Sequence, residues 1–124
     1  MPAGERFRID GPAAHLSPQA ATAMALALHE LATNAAKYGA LSVPEGRVAL
    51  TWAYSGLPGR RTLTMTWRET GGPPTAAPKR TGFGTRLIER GLTGGLKARA
   101  KLDYRPEGLV FTLAAPVGEA ITEG

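Results

Sequence analysis

Glu30, Asn34 and Lys37 stand four and three residues apart within His29–Ser42, which reads His-Glu-Leu-Ala-Thr-Asn-Ala-Ala-Lys-Tyr-Gly-Ala-Leu-Ser. On a helix of 3.6 residues per turn they fall within roughly 60° of arc, about a turn apart. A carboxylate, an amide and an ammonium would then line one edge. A carboxylate can take a proton, an amide oxygen can ligate a hard cation, and an ammonium can meet phosphate, so the set suits Mg-nucleotide chemistry. The same line would also serve as an ordinary solvated helix face.

Two further stretches could touch a ligand. Glu69-Thr70-Gly71-Gly72-Pro73 follows a strand pattern that ends at Trp67. A carboxylate beside glycines offers an acceptor where a ligand can approach the backbone, and it could read an exocyclic amine such as that of adenine. Gly82-Phe83-Gly84-Thr85-Arg86-Leu87 opens a helical pattern, and free N–H groups at a helix start attract anions. It is neither a Walker loop nor a full Rossmann fingerprint, because the third glycine and the lysine are missing. Taken singly, the first reads equally as a turn glutamate and the second as a flexible loop before a helix.

The elements that must position these residues follow from periodicity. Ser17-Pro18 reads as an N-cap with proline in the first turn, opening a helix over 19–37. Its apolar side carries Met24, Leu28, Leu31, Ala35 and Tyr38, and Gly39 is expected to end it as the residue after the cap. Arg6–Ile9 reads as an edge strand before the turn Asp10-Gly11-Pro12. Arg47–Tyr54 alternates, with Val48, Leu50, Trp52 and Tyr54 on one face; Leu63, Met65 and Trp67 alternate with threonines. The short Gly-Leu-Pro-Gly connection makes these two an antiparallel pair. Residues 71–82 read as a loop, 83–92 as a helix, 98–104 and 109–115 as strands, and Pro116 onward as a tail. His15 falls in a loop, and His29 is expected to be half-buried and locally satisfied. Strands in groups with helices on one side suggest an α+β two-layer sandwich with a mixed, mostly antiparallel sheet.

At 124 residues the chain suits one domain with a real core. The absence of cysteine excludes disulfides and thiolate chemistry, and two histidines argue against a histidine-rich metal site. No apolar run is long enough for a bilayer span and no signal-peptide pattern appears, which points to the cytoplasm. The net charge of +5 would fit a nucleic-acid binder, yet the basic residues are scattered and no helix-turn-helix, zinc-finger or RNA-recognition pattern accompanies them. A diffuse positive surface suits an anionic ligand or an acidic partner.

The three motifs in this order resemble the catalytic domain of sensor histidine kinases, in the ATPase superfamily shared with gyrase B, Hsp90 and MutL. The likeness is closest to the HWE subfamily, through His29 in the helix motif and Trp67-Arg68-Glu69 as its Trp-x-Glu motif, and it extends from about Arg6 to Pro116. The resemblance implies the Bergerat version of the sandwich, with ATP and Mg²⁺ as cofactors. It implies Glu30 as the group that polarises the nucleophile, Asn34 as the Mg²⁺ ligand, Lys37 as a phosphate contact and Tyr38 as a neighbour of ribose or base. It makes Glu69 the acceptor for the adenine amine, one methylene longer than the usual aspartate, and Gly71 the glycine that makes room for the base. Gly82 and Gly84, with Phe83, Thr85, Arg86 and Leu87 around them, would meet the phosphates, and 72–81 would form a short lid.

The family also needs a phosphoacceptor histidine on a dimeric helical module, and a response regulator downstream. No paired-helix pattern stands in these 124 residues, and His15 lies in Gly-Pro-Ala-Ala-His-Leu-Ser-Pro. One ATP-binding domain is therefore expected, able to bind ATP and unable to phosphorylate itself alone, with no nucleic-acid or membrane contact. Two other readings share the motifs: a stand-alone serine kinase of the anti-sigma type and a nonenzymatic nucleotide-dependent docking module.

Overall fold

The computed structural model describes residues 6–73, 94 and 96–123. Helix α1, Pro18–Lys37, begins as its sequence demands: Ser17 Oγ accepts the Ala20 N–H at 3.1 Å and Pro18 sits in the first turn. It buries Ala20, Met24, Ala27, Leu31 and Ala35, a single stripe at helical spacing. Tyr38 departs from the expected stripe. It caps the helix and is 73% exposed, because the helical path ends one residue before it.

Strands β1 (Phe7–Asp10), β3 (Arg47–Ser55), β4 (Thr62–Thr70), β5 (Arg99–Arg105) and β6 (Gly108–Pro116) form one sheet in the order β1-β3-β4-β6-β5. β1 runs parallel to β3, and every other neighbour is antiparallel. The sheet is therefore mixed, with α1 packed on one face. The inward side chains Val48, Leu50, Leu63, Met65, Trp67, Phe111, Leu113 and Ala115 join the α1 stripe in one core. Phe111 and Leu113 are fully buried, as befits the strand between β4 and β5. Trp52 is half-buried; its Nε1–H donates to Pro12 O at 2.6 Å, and Tyr54 Oη donates to Ala13 O at 2.7 Å. These two bonds fasten the linker that leads to α1.

The structure corrects further expectations. The stretch after Pro116 is not a tail: Ile121–Glu123 forms β7, which pairs with β2 (Ala14–Leu16) in a two-stranded sheet. Ile121 is fully buried, and that burial repays the pairing. His15 accordingly lies in a strand, and His29 is exposed on α1, not half-buried. Gly39 follows the helix cap, but not in the left-handed conformation usual there, since its φ is −109°. Its reason is space, described below. The helical pattern expected at 83–92 lies outside the described residues.

On the far side of the sheet Arg105 Nε donates to Asp103 Oδ2 at 2.7 Å, and that bond holds the Asp103 carboxyl below its ordinary range. A carboxyl lowered on folding stabilises the fold above its unfolded pKa and loses that contribution as pH falls through the folded value. Asp103→Asn should therefore melt slightly earlier than wild type at neutral pH. The two melts should converge in acid. Both groups face solvent, so the difference is small.

Candidate active site

α1 runs without a break from Pro18 to Lys37, so Glu30, Asn34 and Lys37 do share one edge of one helix. Glu30 and Asn34 are half-buried and Lys37 is exposed. Among the described residues none hydrogen-bonds or pairs with any of these three side chains. The backbone below them is tightly held: Asn34 O accepts from Tyr38 N–H at 2.8 Å and from Gly39 N–H at 3.2 Å. The helix end is thus fixed, and no described residue takes up its polar side chains.

Glu69 is reached from the other direction. β4 continues past Trp67 to Thr70, so Glu69 lies within the strand and shares the inward face with Trp67 and Met65. It is the one buried charged side chain among the described residues, at 2% exposure. Burial of a carboxylate requires donors, and it has two. Ala40 N–H donates to Oε1 at 3.0 Å, and Trp67 Nε1–H donates to Oε2 at 3.0 Å. The Trp67 ring is itself set by the edge of Phe7, whose centroid lies 6.2 Å away in a T-shaped contact.

These bonds tie the strand that bears Glu69 to the end of the helix that bears Asn34 and Lys37. They also explain Gly39. A Cβ there would sit 2.2 Å from Glu69 Oε1 and 3.1 Å from Ala35 Cα. Gly71 adopts φ +74°, and a Cβ on it would meet Glu45 O at 2.6 Å. The glycine is demanded by the chain's own passage over 45–46. Arg6 completes this corner: its guanidinium donates to the carbonyls of Gly46, Ala40 and Val43, holding the short 3₁₀ turn Ala40–Ser42 in place.

The structure therefore brings together Asn34, Lys37, Tyr38, Glu69 and Gly71, and places Glu30 one turn further back on α1. Gly82, Phe83, Gly84, Thr85, Arg86 and Leu87 lie outside the described residues. Two contributors were not singled out by sequence reasoning, Ala40 through its N–H and Arg6, and Gly39 was expected only as the end of the helix, not for the room it leaves. The Trp67–Glu69 bond had a signal, since positions two apart on a strand share a face. A cleft of about 450 Å³ lined by Ser17, Gln19, Leu96, Lys97 and Glu119 opens at the opposite end of α1 and takes no part in this cluster.

No family model matches the chain. Its sequence is 43% identical over 114 residues to a blue-light-activated histidine kinase of Brucella anthropi, covering 92% of this chain and 23% of that protein. It is 38% identical over 119 residues to the corresponding kinase of Brucella ovis, covering 96% of this chain and 24% of the relative. The chain thus spans about a quarter of the length of the curated relatives it matches. Among solved structures, the histidine kinase domain of an Erythrobacter litoralis blue-light activated histidine kinase superposes with a TM-score of 0.67 at 17% identity, covering 90% of this chain and 51% of that one. The nucleotide-free catalytic domain of histidine kinase ThkA superposes at 0.63 with 16% identity, covering 89% of this chain and 77% of that one. The chain is accordingly homologous to a segment of blue-light-activated histidine kinases, and its α+β fold is that of histidine kinase catalytic domains.

Proposed function

We propose that this chain is the ATP-binding catalytic domain of a two-component sensor histidine kinase of the HWE type. It passes the γ-phosphoryl of ATP to a histidine on a separate helical dimerisation module, from which a response regulator is served. The observation that carries this reading is the edge Glu30–Asn34–Lys37, unpartnered among the described residues, on a helix whose end is bonded through Ala40 N–H to Glu69.

The residues fit the cofactors. Among the described residues no three His, Cys, Asp or Glu side chains converge as a metal site. A cation would rest on the Asn34 amide oxygen, on the phosphates themselves and on waters it retains, since Mg²⁺ dehydrates reluctantly. The bound Mg-nucleotide supplies the transferable phosphoryl group and neutralises its charge. Lys37, exposed beside Asn34, meets phosphate. Glu30, half-buried one turn back, accepts the proton of the attacking nucleophile or orients it. Glu69 has about four acceptor positions as a carboxylate, and protein donors use two of them, which leaves capacity for an adenine amine. Gly82 and Gly84 offer backbone N–H groups to the phosphates.

Melting of wild type and Asn34→Ala with ATP, with and without Mg²⁺, tests this. At a ligand concentration about 100 times Kd, wild type should gain roughly 2.7 kcal/mol, a midpoint rise of several degrees. Asn34→Ala should lose the Mg²⁺-dependent part of that rise. An unchanged Mg²⁺ response in the variant would overturn the assignment.

A further inference from the structure

The sheet has a second face, opposite α1, and its composition follows from register. The outward positions at the centre are Ala49, Thr51, Thr64, Thr66, Val110, Thr112 and Ala114, a carpet of methyl and hydroxyl groups. Around it stand Arg8 and Asp10 on β1, Arg47 on β3, Arg68 on β4, and Arg99, Lys101, Asp103 and Arg105 on β5. Six basic groups against two acidic ones leave +4 on this face, of a net +5 for the whole chain. The charge that looks scattered in sequence is therefore gathered by the alternation of four strands. The acidic groups are already used locally, Asp10 by Arg8 at 3.8 Å and Asp103 by Arg105 at 2.7 Å. Arg68 and Arg99 have no hydrogen-bond or ion-pair partner among the described residues.

We infer that this face docks an acidic protein surface. A flat centre of small β-branched and alanine side chains loses little rotamer freedom on being covered. A basic rim around such a centre steers and selects a carboxylate-bearing partner. The alternatives fit less well. Among the described residues the exposed large apolar side chains are Phe7, Ile9, Leu26, Tyr38 and Leu57, and none of these occupies an outward position of the sheet. The described residues of this face thus offer no wedge for a lipid surface and no aromatic platform for single-stranded nucleic acid. A second copy of the chain would set +4 against +4.

The experiment compares two double variants of equal charge change. Arg99→Glu/Lys101→Glu reverses charge on this face, whereas Arg60→Glu/Arg61→Glu reverses it on the β3–β4 loop. Binding of a fluorescent twenty-residue polyglutamate is read at low and moderate salt, alongside a twenty-base-pair DNA duplex and phosphatidylserine vesicles; melts establish that each variant is folded. Polyglutamate should bind wild type in a salt-dependent way, weaken roughly tenfold in the face variant and stay within about threefold in the loop variant. Equal weakening in both variants would reduce the effect to net charge and overturn the assignment. Tighter binding of duplex or vesicles than of polyglutamate would overturn it as well.

Discussion

Glu69→Gln should unfold this domain several degrees earlier than wild type, although it changes one atom and almost no volume. Oε1 accepts from Ala40 N–H and Oε2 accepts from Trp67 Nε1–H, so the buried group faces two donors. A carboxylate satisfies both. An amide has one oxygen and one NH₂, and whichever way it turns, its own N–H points at a donor. A buried polar group left without its partner costs about 1–3 kcal/mol. Trp67→Phe removes the indole N–H and strips Oε2 of its donor, with a cost in the same range plus some packing. Trp67→Phe/Glu69→Gln should lose less than the sum, because the amide can then keep its oxygen on Ala40 and turn its NH₂ away from any donor. The expected coupling is roughly 0.5–3 kcal/mol, read by denaturant unfolding of the three variants and wild type. Strict additivity would mean that the two side chains do not act as a unit.

This pair also separates what the sequence makes legible from what it does not. The edge of Glu30, Asn34 and Lys37 could be read directly, since helix periodicity is local and Ser17, Pro18 and the alanine-rich stripe mark the helix. β3 and β4 were equally plain, because their apolar residues alternate and a short loop joins them. Hydropathy fails at Glu69. An inward strand position occupied by a carboxylate looks like the end of a strand, and β4 therefore seemed to stop at Trp67. The donor that makes its burial possible, Ala40 N–H, lies 29 residues away. β2 and β7 escaped for a related reason. Each has three residues, too few for an alternation, and their pairing joins the two ends of the chain. Gly39 was expected for the right position and the wrong property: it provides room for a carboxylate, whereas a left-handed turn was anticipated.

The largest loss should come from Gly108→Ala, on the backbone side of the same glutamate. Gly108 opens β6 with φ +145°, a region that residues with a Cβ rarely enter, and a Cβ there would lie 1.9 Å from Glu69 O. The obstacle is main chain of the neighbouring strand, so no rotamer change relieves it. Forced backbone strain of about 1–3 kcal/mol and overpacking of about 1–3 kcal/mol act together, a combined loss of roughly 2–5 kcal/mol. Two other glycines separate the contributions. Gly59 has φ +83° with nothing within 4 Å of its would-be Cβ, so Gly59→Ala should cost only the conformational part, roughly 1 kcal/mol. Gly118 has open space and no positive φ, so Gly118→Ala should be neutral or gain up to about 1 kcal/mol by restricting the unfolded chain. The order Gly118, Gly59, Gly108 in denaturant unfolding is the test. Gly108→Ala should also weaken ATP, since displacing the Glu69 backbone shifts the carboxylate proposed to meet adenine. A Gly108→Ala domain as stable as Gly59→Ala would mean that β6 can yield there. Glu69 would then be held by its side-chain donors alone.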